Sequence, residues 1–168
     1  ALSAVDRGDY QVALKEFSAL ADKGDDRAMI TIGSWYLNGE GLPQDYVKAM
    51  EWYLRALAKG NADAMNNLGV MYRDGLGVPQ NLVVAGALFR RALAEGKNDG
   101  VIGRSTRNLS KLDVWISEDQ VKKVEQTKPE DLTADALRKL NSSRKDTEGR
   151  RPLLLISSNA WSSLPASY

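Results

Sequence analysis

Apolar residues in this chain recur at helical spacing. Ala49, Tyr53 and Ala56 are four and three residues apart, so they share one helical face, and Met50 and Leu54 widen the stripe. Gly60 follows Ala56-Leu57-Ala58-Lys59, where a helix needs a left-handed residue to end, and Asn61 stands at the N-cap position of the next helix. That helix carries Ala64, Leu68, Val70, Met71 and Tyr72 and runs to about Arg73. The segment Asp74-Gly75-Leu76-Gly77-Val78-Pro79 then breaks it with two Gly and a Pro. The same reading predicts helices over 10–23, 26–38, 46–59, 62–74, 82–95 and 99–112. Ser117 with Gln120 forms a capping box that opens a helix over about 118–127. Pro129, with Glu130 and Asp131 beside it, opens a last helix to about Asn141. No stretch alternates as a half-buried strand does.

The helices repeat at an offset of 36 residues. Ala13, Ala49 and Ala85 fall in register, as do Phe17, Tyr53 and Phe89; so do Gly24, Gly60 and Gly96, and Asp9, Asp45 and Asn81. Two copies agree at Ala28/Ala64, Gly33/Gly69, Tyr36/Tyr72, Gly39/Gly75, Gly41/Gly77 and Pro43/Pro79. The small Ala residues admit a neighbouring helix closely, and the aromatic ring fills the space between helices.

Composition narrows the chemistry. The chain has 168 residues, 43% hydrophobic and 27% charged, with a formal net charge of +1. It suits one domain with an adequate core and gives no basic excess for capturing nucleic acid. Cys and His are both absent, which removes disulfides, thiolate metal sites, the usual nucleophilic triads and the commonest near-neutral base. The longest unbroken apolar runs, Leu82 to Ala85 and Leu153 to Ile156, hold four residues, far below the roughly 20 that span a bilayer.

The pattern Ala64-x-x-x-Leu68-Gly69-x-x-Tyr72-x-x-Gly75-x-Gly77-Val78, followed by Ala85, Phe89, Ala92 and Gly96, resembles the Sel-one-like repeat (SLR) family. The preceding unit shows the same signature at Ala28, Ile32, Gly33, Tyr36, Gly39, Gly41, Ala49, Trp52, Ala56 and Gly60. The resemblance covers about residues 9–112. It implies an all-α fold: a right-handed α-α superhelix, or solenoid, of about three two-helix repeats with a terminal capping helix or two. The third unit departs, with Gly100 at the Ala position, Ser105 at the Gly position and Asn108 where a Tyr is expected. A terminal unit, with nothing stacked beyond it, tolerates such change. Gly86 replaces a larger residue and should cost its helix about 1 kcal/mol relative to Ala. The expected division is a helical repeat domain over 1–141 and a linker and tail over 142–168. In the tail, Leu153–Ile156 and Trp161 either lie free or dock on this molecule or a second copy.

In this kind of repeat the first helix of each pair lines a concave face. Carried over by position, the resemblance marks Arg27, Ile30, Ser34 and Leu37, then Asp63, Asn66, Val70 and Arg73, as partner-binding candidates, with Asp99, Ile102, Thr106 and Leu109 in the third unit. Trp35, outside the signature, is the candidate for an exposed anchor, since Trp is enriched at binding hot spots; Trp52 and Trp115 are assigned to packing. Asp25, Asp26, Asp63 and Asp74 have structural roles at helix ends, so no catalytic carboxylate pair is expected. The Gly39-x-Gly41 and Gly75-x-Gly77 pairs follow helices without a preceding strand, so they fail as phosphate loops.

The expected activity is therefore that of a scaffold or adaptor holding a protein or peptide on the concave face, not an enzyme, with no cofactor, no metal and no nucleic acid partner. The alternatives are self-association through the tail and, far behind, hydrolysis of the kind ascribed to disulfide-rich penicillin-binding relatives, whose Cys are lacking here. The start at Ala1 and the opening Arg7-Gly8-Asp9-Tyr10-x-x-Ala13-Leu14, which resembles the first half-unit of exported bacterial members, point to a periplasmic or secreted protein, with the cytoplasm as the alternative.

Overall fold

The structure, a computed structural model, describes residues 2–112, 116–126, 133 and 136–139. The helices are α1 (Leu2–Asp6), α2 (Tyr10–Asp22), α3 (Asp26–Asn38), α4 (Tyr46–Leu57), α5 (Ala62–Asp74), α6 (Leu82–Glu95), α7 (Asp99–Leu112) and α8 (Glu118–Gln126). Residues 136–139 are also helical. The described residues contain no strand, and none of their helices is long and apolar enough to cross a membrane. The helix expected from Pro129 lies mostly outside the described residues, as do Trp115 and the tail over 142–168.

The same local chemistry starts each helix. Asp9, Asp25, Asp45, Asn61 and Asn81 cap α2 to α6, each side chain accepting from the backbone N–H three residues on. At Asp45 the bond from the Lys48 N–H is the main force holding the carboxyl below its ordinary value. The expected capping box forms: the Ser117 N–H donates to Gln120 Oε1 at 2.9 Å, and the Gln120 N–H reaches back to Ser117 Oγ at 3.4 Å. Gly39 (φ 73°) and Gly75 (φ 71°) end α3 and α5 in the left-handed conformation. The loops that follow are braced twice. Gln44 Nε2 donates to Leu37 O and Gln80 Nε2 to Arg73 O, both at 2.8 Å, so the amide satisfies a carbonyl left open in the last helical turn. The Asp45 and Asn81 N–H groups donate to Tyr36 O and Tyr72 O.

Helices pack with their neighbours in order: α3 on α4 and α5 on α6 form the pairs, while α4–α5 and α6–α7 join one unit to the next. The repeat glycines set the spacing within a pair. A β-carbon on Gly69 would lie 2.5 Å from Cε1 of Phe89, a ring that is fully buried, so only Gly permits this approach. One continuous core results, from Ala4 through Leu112 to Leu137. Helix α6 is apolar nearly all round because it is covered on more than one side, by α5, α7 and α8; Val84, Ala87 and Leu88 are buried, where Lys48 and Glu51 of α4 are exposed and Trp52 half-buried at the same repeat positions. The segment at 136–139 returns to the body, with Leu137 buried and Arg138 within 3.3 Å of Glu51 on α4.

Two expectations change. Trp35 is not an exposed anchor: it is only 5% exposed and lies edge-on to Tyr10 (5.7 Å) and Phe17 (5.1 Å), locking α2 to α3. Trp52 is the more open of the two, half-buried against the core with Arg55 over its ring at 4.3 Å. Helix α1, which has no counterpart in the helices read from the sequence, buries Ala4 beside α2.

Candidate partner-binding face

The candidate face is carried by α3, α5 and α7, each held by its buried stripe. On α5, Ala64, Met65, Leu68, Met71 and Tyr72 point inward, which turns Asp63, Asn67, Val70 and Asp74 toward the opposite side. The matching positions of α3 are Arg27, Thr31, Ser34 and Asn38, and those of α7 are Asp99, Gly103, Thr106 and Ser110.

The eight candidates divide into two groups. Asp63, Asn66, Arg73 and Ser34 are engaged within the fold. Asn66 is 3% exposed, and its Oδ1 accepts from Ser105 Oγ (3.2 Å) and Asn108 Nδ2 (3.0 Å) on α7. Arg73 Nη1 donates to Asn108 Oδ1 at 3.1 Å, while its Nε and Nη2 grip the Asp74 carboxylate, which raises the Arg73 pKa. Asp63 pairs with Arg104 of α7. These contacts tie α5 to α7 with polar groups where the earlier units carry Gly33, Tyr36 and Ile30. The unusual residues of the third unit thus form a network, each compensating for another.

Ser34 Oγ lies 3.1 Å from the Tyr53 hydroxyl, which reaches across from α4. Burial pushes the Tyr53 phenol above its ordinary value, and the bond with Ser34, with Asn67 also close, opposes part of that rise. One repeat later the same two positions are Val70 and Phe89, so the hydroxyl pair is replaced by an apolar pair.

Arg27, Ile30, Leu37 and Val70 remain. Arg27 is exposed and the three apolar side chains are half-buried, with Ile102 (37% exposed) and Thr106 extending the face onto α7. Asn67 was missed in the sequence reading although it stands four residues after Asp63 and three before Val70, on the same face. The arrangement offers a mixed surface: aliphatic side chains flanked by amide, hydroxyl and charged groups. Such a surface suits a peptide or protein segment.

Comparison with known proteins agrees with this architecture. The Sel1 repeat family model matches residues 26–61 and 62–97. Among curated proteins no match is found. Among solved structures, the chain is similar to a protective antigen of uropathogenic Escherichia coli strains that displays an SLR fold, with 24% identity, a TM-score of 0.63, and coverage of 90% of this chain and 31% of that one. It is also similar to a Sel1 repeat protein from Oxalobacter formigenes, with 25% identity, a TM-score of 0.58, and coverage of 68% and 45%. The chain therefore spans less than half the length of either. The helices at 26–97 are two Sel1 repeats in tandem, within an all-α helical fold similar to that of both solved structures.

Proposed function

We propose that the chain is a protein-binding scaffold that holds a protein or peptide partner along the face of α3, α5 and α7. The observation that carries this reading is the incomplete burial of Ile30 and Leu37 on α3, Val70 on α5 and Ile102 on α7, next to the exposed Arg27 and Thr106. Aliphatic residues that a closed core would cover are left as a shallow stripe, and stacked repeats use such curved surfaces for binding. The absence of His and Cys from the sequence speaks against the common hydrolytic machineries. A periplasmic or extracellular setting belongs to the same proposal, supported by the likeness of Arg7-Gly8-Asp9-Tyr10-x-x-Ala13-Leu14 to exported repeat proteins.

The test is capture of a partner from the source organism's lysate, followed by calorimetry on the purified pair. Asn66 and Arg73 brace α7 and are poor probes, so the variant is Arg27→Glu/Thr106→Arg, both at exposed positions. Affinity is expected to fall roughly tenfold or more. Binding that survives in this variant but is lost on truncation at Ser142 overturns the reading in favour of the tail.

A further inference from the structure

The face of α3, α5 and α7 is not uniform in charge. Arg27, Asp63 and Asp99 hold matching positions in the first turns of the three helices. The middle member is spent, because Asp63 is paired with Arg104 of α7. The outer two are not. Arg27 and Asp99 are exposed, and neither side chain has an ion pair or hydrogen bond among the described residues. The row therefore ends in a free cation on α3 and a free anion on α7, with a closed pair between them. Helices packed side by side stand roughly 8–10 Å apart, so about 16–20 Å separates the two ends. An extended chain rises about 3.3 Å per residue, and side chains about five or six residues apart along it would reach both.

Asn66 bears on the conformation of the occupant. It is 3% exposed, and its Oδ1 is taken up by Ser105 and Asn108. Its Nδ2 has no hydrogen-bond partner among the described residues. No fully buried side-chain polar atom there lacks a partner, so this N–H is reached from outside. Asp63 and Val70, one helical turn before and after Asn66, both belong to the face, and the opening lies at the groove between α5 and α7. An unspent donor in so buried a residue asks for an acceptor. The carbonyls of a ligand helix are already bonded within it, whereas an extended backbone has carbonyls to give. Val70 and Ile102 flank the groove and suit aliphatic side chains.

We propose that the partner segment is an extended peptide laid across α3, α5 and α7, with an acidic side chain at Arg27 and a basic one at Asp99. About five or six residues separate the two charges, apolar side chains lie between them, and one backbone carbonyl accepts from Asn66 Nδ2. The inference rests on the scaffold reading and names the chemistry of its ligand. The charges fix direction and register, and the aliphatic contacts supply most of the affinity.

The probe is a phage-displayed library of random linear peptides, panned on the full chain. Enriched sequences should carry an acid and a base about five or six positions apart around an apolar centre. A fluorescent synthetic member then reports affinity by anisotropy. Arg27→Glu should weaken it roughly fivefold or more, and exchanging the acid of the peptide for Lys should restore most of that loss. Asn66→Asp keeps an acceptor for Ser105 and Asn108 but has no N–H. It should weaken binding roughly threefold or more, with the urea midpoint nearly unmoved. Should Asn66→Asp shift the midpoint, the charge exchange still decides. Peptides that lose binding to Thr106→Arg but lack the charge pair, or ignore Arg27→Glu, overturn this inference and leave the scaffold reading standing. The absence of any enriched peptide overturns it as well, since an extended segment is what it requires. Peptides indifferent to Arg27→Glu/Thr106→Arg together overturn both.

Discussion

Gly33 lies against the ring of Tyr53 so closely that a β-carbon would sit 2.5 Å from Cε1 and 2.8 Å from Cδ1. The ring is fully buried and cannot withdraw. Gly33→Ala and Gly69→Ala should each destabilise by about 1–3 kcal/mol, although Ala is the better helix former by about 1 kcal/mol. Gly103→Ala is the internal control. Nothing lies within 4 Å of its β-carbon, so propensity alone acts and stability should rise by up to about 1 kcal/mol. Urea midpoints at unchanged slope check all three.

The Ser34–Tyr53 hydroxyl pair and the Val70–Phe89 pair solve the same packing problem with different chemistry. Tyr53→Phe alone leaves the Ser34 hydroxyl without this partner, and Ser34→Val leaves the phenol with Asn67 alone. Each should cost about 0.5–1.5 kcal/mol. The double variant imitates the next unit and should cost less than the sum, by about 0.5 kcal/mol or more, in a double-mutant cycle.

Tyr53 also sets an alkaline limit. Its folded pKa is raised above the ordinary 10.0, so the folded state favours the neutral phenol. The stability it contributes is fully present below that ordinary value and is lost as pH rises through the higher folded value. The urea midpoint of the unaltered chain should fall more steeply above about pH 10 than that of Tyr53→Phe. Equal slopes would show that Tyr53 does not titrate with unfolding.

Removing the Asn66 side chain takes the common acceptor from Ser105 and Asn108. Asn66→Ala should cost about 1–3 kcal/mol and loosen α7 ahead of α3 and α4. Amide hydrogen exchange reads this directly: faster exchange over 101–112 with little change over 28–38. Uniform acceleration along the chain would show that the network does not act locally.

Helix positions were legible because caps and stripes repeat. Asp25, Asp45, Asn61 and Asn81 all mark real starts, and α3, α5, α6 and α7 run as expected. The end of α4 was less legible: the helix stops at Leu57, and Ala58 and Lys59 turn before Gly60 takes φ 76°. The place of Trp35 was readable but missed, since its repeat mate Met71 is an apolar residue with 0% exposure. Gln44 and Gln80 carried a signal too, each directly after a repeated Pro. Other features could not be read from one unit at a time. Ser105 and Asn108 look like decay of the motif until α7 is laid against α5, where both meet Asn66. The packing of α8 against α6 likewise joins elements separated along the chain by the whole of α7.

The contacts that shape each helix pair close within a single matched block. Gly33 with Tyr53, Gln44 with Leu37 and Asp45 with Tyr36 all fall inside 26–61; Gly69 with Phe89, Gln80 with Arg73 and Asn81 with Tyr72 fall inside 62–97. A gene segment copied in whole blocks thus carries its own lock, loop brace and cap, and each new copy folds by rules already written into it. An insertion of a fraction of a block would part the ring from its glycine. Tandem duplication is therefore the inexpensive mutational route by which such an array grows, and selection on the outer helix faces can then proceed one block at a time.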